Sequence, residues 1–286
     1  MSAAPDFLDD VGAGLPHAAH APDARAVILA GGRGTRLAPY TSVLPKPLMP
    51  VGEQAILELV VEQLEACRIT DITFCVGYLA HLIQAVFDQR SNGHVQIRYV
   101  HEEKALGTAG PLRLVGPLDG SFIVMNGDVL TTLDFGELLR HHRTSGNVLT
   151  IATHERSIKI DYGVLHVGGE DGSRVQGYEE KPELVSSVSM GIYVMEPLVV
   201  EYVPADTPFD FPDLVQALLR HGQPVGAYRH EGMWFDIGRQ DDYEQAVALW
   251  LSAQNDRDGS LAHNGSNGHF PRPVDIEVQE ELRSAE

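Results

Sequence analysis

From residue 25 to about 143 the chain repeats one pattern. A short run of consecutive apolar residues is followed by a break rich in glycine or charge, then by apolar residues spaced three and four apart. The first run, Ala26-Val27-Ile28-Leu29-Ala30, has no polar alternation, which suits a strand buried on both faces. Ile56, Leu57, Leu59, Val60, Val61 and Leu64 then fall on one helical stripe;. The same reading predicts strands at 71–76, 95–100 and 121–125, and helices at 80–89, 108–114 and 135–143. Strand–helix alternation implies right-handed crossovers and a parallel sheet. Ligands then belong at the carboxyl ends of the strands.

After Asn147 the pattern changes. Strands are predicted at 147–154, 163–167, 174–179 and 188–195. Helices follow at 210–221 and 240–252, with a strand at 224–229 between them. This half reads as a mixed extension of the same sheet, so 25–252 is taken as one α/β domain. No internal repeat is visible. Residues 1–24 are rich in Ala, Pro, Asp, Gly and His and read as a flexible leader, its His17 and His20 as incidental. Residues 253–286 read as a flexible acidic tail.

Charge narrows the partners. The 286 residues carry 40 acidic and 21 basic side chains, a formal charge of −19. A general nucleic-acid binder would show a basic footprint instead. No apolar run approaches the roughly 20 residues that span a bilayer, and the leader has no basic segment ahead of an apolar one. A cytoplasmic enzyme is the expectation, its oligomeric state open, a homodimer included. Cys67 and Cys75 lie in apolar stretches without zinc-ligand spacing and read as reduced core residues;. Adjacent His141 and His142, on a polar helix, read as solvent-facing. Met125, Met190 and Met195 read as packing.

Candidate chemistry begins directly after the first strand, at Gly31-Gly32-Arg33-Gly34-Thr35-Arg36-Leu37. Glycines let the backbone approach a ligand and aim several N–H groups at one anion. Arg33 and Arg36 add charge suited to phosphate. The loop matches neither GxGxxG nor the Walker A pattern. Lys46 follows between Pro45 and Pro47, which stiffen its position. It is one of four lysines against 17 arginines, so a compact point charge is placed sparingly here. Asp128 closes a predicted strand at Asn126-Gly127-Asp128, and Asp236 lies in Trp234-Phe235-Asp236-Ile237-Gly238-Arg239. Taken alone, Asp128 reads as a turn former and Asp236 as a helix N-cap. Together they could hold Mg²⁺, which takes one or two carboxylates plus phosphate oxygens. Glu180 and Lys181, before Pro182, set a carboxylate beside an ammonium, a pair able to bind a polyol and its phosphate at once. Tyr162-Gly163 and Ser189-Met190-Gly191 offer small residues at strand edges, where a sugar ring could approach.

In combination these segments, with Leu106-Gly107-Thr108-Ala109-Gly110, resemble the sugar-1-phosphate nucleotidylyltransferase family over about 25–250. The resemblance implies a Rossmann-like, three-layer α/β/α fold with a mostly parallel mixed sheet. It implies the reaction NTP + sugar 1-phosphate ⇌ NDP-sugar + pyrophosphate. By motif position, Leu29 to Arg36 with Gly107 and Thr108 would line the nucleotide. Arg36 and Lys46 would neutralise the developing pyrophosphate. Asp128 and Asp236 would hold Mg²⁺. Lys181 would grip the sugar phosphate and Glu180 the sugar hydroxyls, with Tyr162, Gly163, Ser189 and Gly191 lining the pocket. The family's frequent Asn-Ala-Gly is here Ser189-Met190-Gly191, which puts the sugar, not the reaction class, in question. The segment from Glu102 looks most like mannose-type guanylyltransferases, with Glu102 or Glu103 able to accept from the guanine N1–H and N2–H₂ edge. GTP is therefore the favoured donor. The same chemistry with dTTP or UTP and glucose 1-phosphate, or a non-catalytic sugar-nucleotide sensor, remains as a rival.

Overall fold

The apolar run at 25–30 does form a strand buried on both faces, β1 (Arg25–Ala30). Ala26, Ile28 and Ala30 turn to one side and Val27 to the other, the alternation a pleated strand imposes. In the computed structural model, residues 24–89, 94–169, 171–238 and 240–261 are described. Nearly all of the predicted leader, with His17 and His20, lies outside them, as do Arg239 and residues 262–286.

The remaining strands, in chain order, are β2 (Pro50–Val51), β3 (Gln54–Ala55), β4 (Asp71–Val76), β5 (Gln96–His101), β6 (Phe122–Asn126), β7 (Val129–Thr131), β8 (Leu149–Lys159), β9 (Val164–Gly168), β10 (Arg174–Glu179), β11 (Glu183–Met195), β12 (Val225–Arg229) and β13 (Trp234–Asp236). The helices are α1 (Ile56–Ala66), α2 (Ala80–Gln89), α3 (Phe135–Ser145), α4 (Phe211–Arg220) and α5 (Gln240–Leu261). Seven strands form the central sheet in the order β12-β8-β11-β6-β1-β4-β5. Every neighbouring pair is parallel except the two made by β11. The sheet is the mostly parallel, mixed one expected.

Helices α1, α2 and α3 pack on one face. Helix α4 and the 3₁₀ turns at Gly110–Leu114 and Pro197–Tyr202 cover the other. A third cluster joins Ala246 and Trp250 of α5 to Leu37, Leu130 and Ile237. Helix starts are set locally. Asp134 accepts from the Glu137 N–H at 2.9 Å to begin α3, and Gly146 in the left-handed region ends it;. No helix among the described residues is long and apolar enough to cross a membrane.

Several expectations change. The 108–114 segment is a 3₁₀ turn over its last five residues, not an α-helix. Helix α5 runs to Leu261 rather than 252. Strands β8 and β11 extend well past the predicted 147–154 and 188–195, because they leave the sheet together as a ribbon. Cys75 is buried, but Cys67 is only half-buried, its Sγ 3.9 Å from Asp134 Oδ1. His142 is not solvent-facing. Its ring is buried, with Nδ1 2.8 Å from Thr150 Oγ1 and Nε2 3.2 Å from Glu196 Oε1. Two partners for two ring nitrogens make that burial tolerable.

Candidate active site

The carboxyl edge of the parallel strands gathers most of the predicted residues. Leu29 and Ala30 end β1, and the glycine loop leaves from there. Gly31 lies against the Glu102 carboxylate so closely that a side chain at 31 would collide with it. Arg33 sits over the Tyr78 ring, 5.8 Å from its centroid. Gly32 and Thr35 are exposed. Gly34 has φ +60° and opens the 3₁₀ turn Thr35–Leu37. Its carbonyl accepts from Thr41 Oγ1 at 2.8 Å, and a Cβ there would stand 3.1 Å from Lys46 Cβ. Only glycine meets both demands. Arg36 reaches the far motif: its Nη1 would be 3.6 Å from a Cβ on Gly238.

Lys46 is the centre of the arrangement. Pro45 and Pro47 flank it in a buried 3₁₀ turn, and its side chain is 10% exposed. Its Nζ contacts Asp128 Oδ2, on a side chain 19% exposed, and lies 4.0 Å from Asp236 Oδ1, on a side chain 51% exposed. A buried ammonium needs such a partner. The two aspartates are 108 residues apart, and a short ladder joins them. Strand β13 pairs antiparallel with β7, setting Asp236 opposite Val129, the residue after Asp128. Neither three-residue strand was expected from the sequence. Both aspartates are therefore placed by strand pairing rather than by a helix cap.

Asp128 Oδ1 is buried and has no hydrogen-bond partner. An orphaned carboxylate oxygen costs free energy unless something cationic or a donor meets it. Beside a second carboxylate, it suits a hard divalent ion that takes one or two carboxylates and fills its shell with phosphate and water oxygens. No group of three or more metal-ligating side chains occurs among the described residues, so an all-protein cage is absent there.

Glu102 continues from the end of β5, its N–H donating to Val76 O at 2.9 Å. Its Oε2 accepts weakly from the Leu106 N–H at 3.4 Å. Burial pushes its carboxyl above the ordinary range. The same burial, aided by the nearby Glu102 charge, raises the Cys75 thiol to about 12. Glu103 is exposed, so Glu102 is the glutamate that faces the loop. Thr108 also has a structural employment. Its N–H and hydroxyl both donate to Asp210 Oδ1, at 2.7 and 3.0 Å, and its Oγ1 accepts from the Phe211 N–H at 3.0 Å. With Gly107 packed on Phe209 and Asp210, it pins the 102–110 loop to the start of α4.

The sugar-side residues fall in two places. Ser189 and Gly191 lie in a bulge of β11. Gly191 has φ +72° and lies against the Asn126 amide. Ser189 Oγ donates to Tyr193 Oη at 3.2 Å and accepts from the Gly191 N–H at 3.3 Å. Tyr162, Gly163, Glu180 and Lys181 sit further out, on the lobe formed by the β8–β11 ribbon and the β9–β10 hairpin. The Tyr178 phenol lies across Gly163 and donates to Glu180 Oε2. Lys181 has φ +46° at the turn into β11. Among the described residues no hydrogen bond or ion pair joins this group to Arg36, Lys46, Asp128 or Asp236. The root of the lobe does touch the site. Arg156 lies over the Trp234 indole at 5.0 Å, and Trp234 Nε1 donates to Met190 O at 3.0 Å.

Tyr178, Asn126 and Trp234 were not singled out as site members. Trp234 had a signal, since it opens the motif containing Asp236. The other two act through contacts that only the folded chain reveals.

A parallel α/β sheet with a glycine loop, a fixed lysine and two aspartates at its carboxyl edge defines a nucleotide-binding transferase site. The family model described as nucleotidyl transferase matches residues 25–252, and the chain belongs to that family. It is 33% identical over 250 residues to a UTP–glucose-1-phosphate uridylyltransferase of Synechocystis sp., covering 80% of this chain and 64% of that one. It is 33% identical over 244 residues to a mannose-1-phosphate guanyltransferase of Aspergillus oryzae, covering 83% and 67%. The chain thus spans about two thirds of the length of these relatives. Among solved structures it resembles HddC from Yersinia pseudotuberculosis complexed with GMP-PN, with TM-score 0.62 and 25% identity over 79% of this chain and 99% of that one.

Proposed function

We propose that the protein transfers a nucleotidyl group from an NTP, with GTP favoured, to a sugar 1-phosphate, releasing pyrophosphate. One observation carries the reading: a buried lysine set between two aspartates beneath a glycine loop, one aspartate oxygen left without a partner. A sugar phosphate oxygen is already an anion, so no strong base is needed. It forms the new bond to the α-phosphorus, and the bond to the bridging oxygen of pyrophosphate breaks. The enzyme's task is to hold two repelling anions in line and absorb the charge that spreads to the leaving group. The loop amides from Gly31 to Arg36 receive the triphosphate. Arg36 and Lys46 neutralise the departing pyrophosphate. Asp128 and Asp236 would hold Mg²⁺, which would supply further neutralisation of phosphate charge. Lys181 holds the acceptor's phosphate, Glu180 its hydroxyls, and Tyr162, Gly163, Ser189 and Gly191 line its ring.

GTP is favoured because Glu102 places a half-buried carboxylate beside the loop, where the donor edge of guanine has two N–H groups to give. The uridylyltransferase relative at equal identity supports a second reading, the same chemistry with UTP or dTTP and glucose 1-phosphate. A cytoplasmic location belongs to the same proposal. The test is pyrophosphate release across GTP, dTTP, UTP, CTP and ATP against a panel of sugar 1-phosphates, with and without Mg²⁺. Metal-dependent release with GTP and one sugar phosphate is expected. Release with UTP or dTTP instead keeps the chemistry and discards the base. Binding of nucleotide without release from any pair overturns the enzyme reading in favour of a sensor.

A further inference from the structure

The turn between β4 and α2 meets the glycine loop at three places, all through Tyr78. Its backbone N–H donates to Gly31 O at 3.3 Å, where the loop leaves β1. Its ring lies under the Arg33 guanidinium. Its phenol donates to Ser42 O at 3.1 Å, four residues before Lys46. Packing does not account for the ring. It is half-buried and belongs to none of the three hydrophobic clusters. The turn that presents it is strained. Gly77 O accepts from the Ala80 N–H at 3.3 Å, with Tyr78 and Leu79 between them. Leu79 has φ +54°, at the position where such a turn favours glycine or asparagine. A non-glycine residue held in that region persists only where its surroundings over-determine it, and such residues gather at ligand clamps.

We propose that Tyr78 is a positioning residue for the nucleotide donor, a strut that fixes the glycine loop near both ends and keeps Arg33 available to phosphate. This rests on the donor site proposed above. A loop with three glycines loses much conformational freedom when it orders around a ligand. A strut already in place in the free protein removes part of that cost from binding. The choice of an aromatic ring matters for Arg33. Among the described residues Arg33 makes no ion pair, although the chain carries 40 acidic side chains. A carboxylate would hold the guanidinium by cancelling its charge. A ring face holds it and leaves that charge for an arriving anion. Tyr78 itself needs to touch no reacting atom; it acts through the loop.

Two readouts test this. Hydrogen exchange of the ligand-free chain reports the strut without any nucleotide. Peptides covering 31–44 should exchange about 2- to 10-fold faster in Tyr78→Phe, which loses the bond to Ser42. They should exchange faster again in Tyr78→Leu, which also loses the ring under Arg33. Peptides from β1 and β4 should not change, which separates a loosened loop from a damaged fold. If Tyr78→Leu fails to fold, Tyr78→Phe carries the test alone. Titration with GTP, UTP and dTTP, with Mg²⁺ and no sugar phosphate, reports the positioning. The dissociation constant of the nucleotide that wild type binds should rise about 2- to 10-fold in Tyr78→Phe, with kcat at saturating donor within about twofold of wild type. Losses in Tyr78→Leu and Arg33→Met should be less than additive when combined. Unchanged loop exchange overturns the proposal, and so does faster exchange with unchanged donor affinity. Wild type that binds none of the three nucleotides removes the donor site and this role with it. That failure is distinct from one in which wild type binds and the variants bind equally well, which removes the role of Tyr78 alone.

Discussion

The two regions that share the candidate site are built in opposite ways. At the carboxyl edge of the sheet, Lys46 is walled by two prolines, paired with Asp128 and backed by packed layers. On the lobe, Tyr162, Gly163, Glu180 and Lys181 sit in the turns that join paired strands, with almost nothing packed beneath them. Tyr162 is 79% exposed. Charge at the proposed phosphate centre is thus positioned by burial, and the proposed acceptor-binding groups by strand ends and the Tyr178 contacts to Gly163 and Glu180. Burial ties chemistry to folding stability. Pairing on an exposed ribbon leaves the two separable.

The largest test of that contrast is Asp128→Ala. It should cut turnover on the order of 10³-fold and lower stability by up to about 3 kcal/mol, because a buried ammonium loses its partner. Kinetics and urea melts on one preparation would show both. Asp236→Ala, at a half-exposed side chain 4.0 Å away, should also abolish most turnover but shift the melt by less than about 0.5 kcal/mol. Equal melting losses in the two variants would break the contrast within the phosphate centre.

Lys181→Ala should raise the KM for the sugar phosphate by about 10- to 100-fold, the scale of a lost charged hydrogen bond. The NTP KM and the melting temperature should stay put. An earlier melt would mean that the lobe contributes to global stability after all.

Glu102→Gln should lower the GTP/UTP ratio of kcat/KM by about tenfold; an unchanged ratio removes the base-reading role. The same variant carries a pH signature. Burial raises the folded pKa of Glu102 above its unfolded value, so its contribution is fully present below the unfolded pKa and lost as pH rises through the folded one. Melting of the variant should therefore gain on wild type from about pH 4 toward neutrality.

The smallest effect concerns His142. Burial lowers its pKa. Its contribution is present above the unfolded value, about 6.5, and fades as pH falls through the folded one. His142→Gln should flatten that acid limb in a melting series.

Burial also explains what was legible in the sequence. Strands β1, β4 and β6 lie in a sheet covered on both faces, so they print continuous apolar runs, and the loops at their ends are easily placed. The outer halves of β8 and β11 cover nothing. Glu155, Arg156 and Ser157, opposite Ser187, Ser186 and Val185, give no alternation to read. The β7–β13 ladder is too short for any period, although it sets the two aspartates together. The burial of His142 and the anchoring of Thr108 were hidden for one reason. Their partners Glu196 and Asp210 lie 54 and 102 residues away, and nothing local announces them.

The antiparallel strand β11 of the central sheet makes the lobe exchangeable. Strands β8 and β11 already pair inside the sheet through 149–153 and 189–195, before the lobe begins. Everything from 154 to 188 is an excursion from a ladder that closes without it. Surface excursions of this kind tolerate exchange and changes of length far better than core strands do. The lobe can therefore be treated as a cassette: if it recognises the acceptor as proposed, grafting another excursion onto residues 153 and 189 would change the acceptor while the rest of the sheet stays as it is.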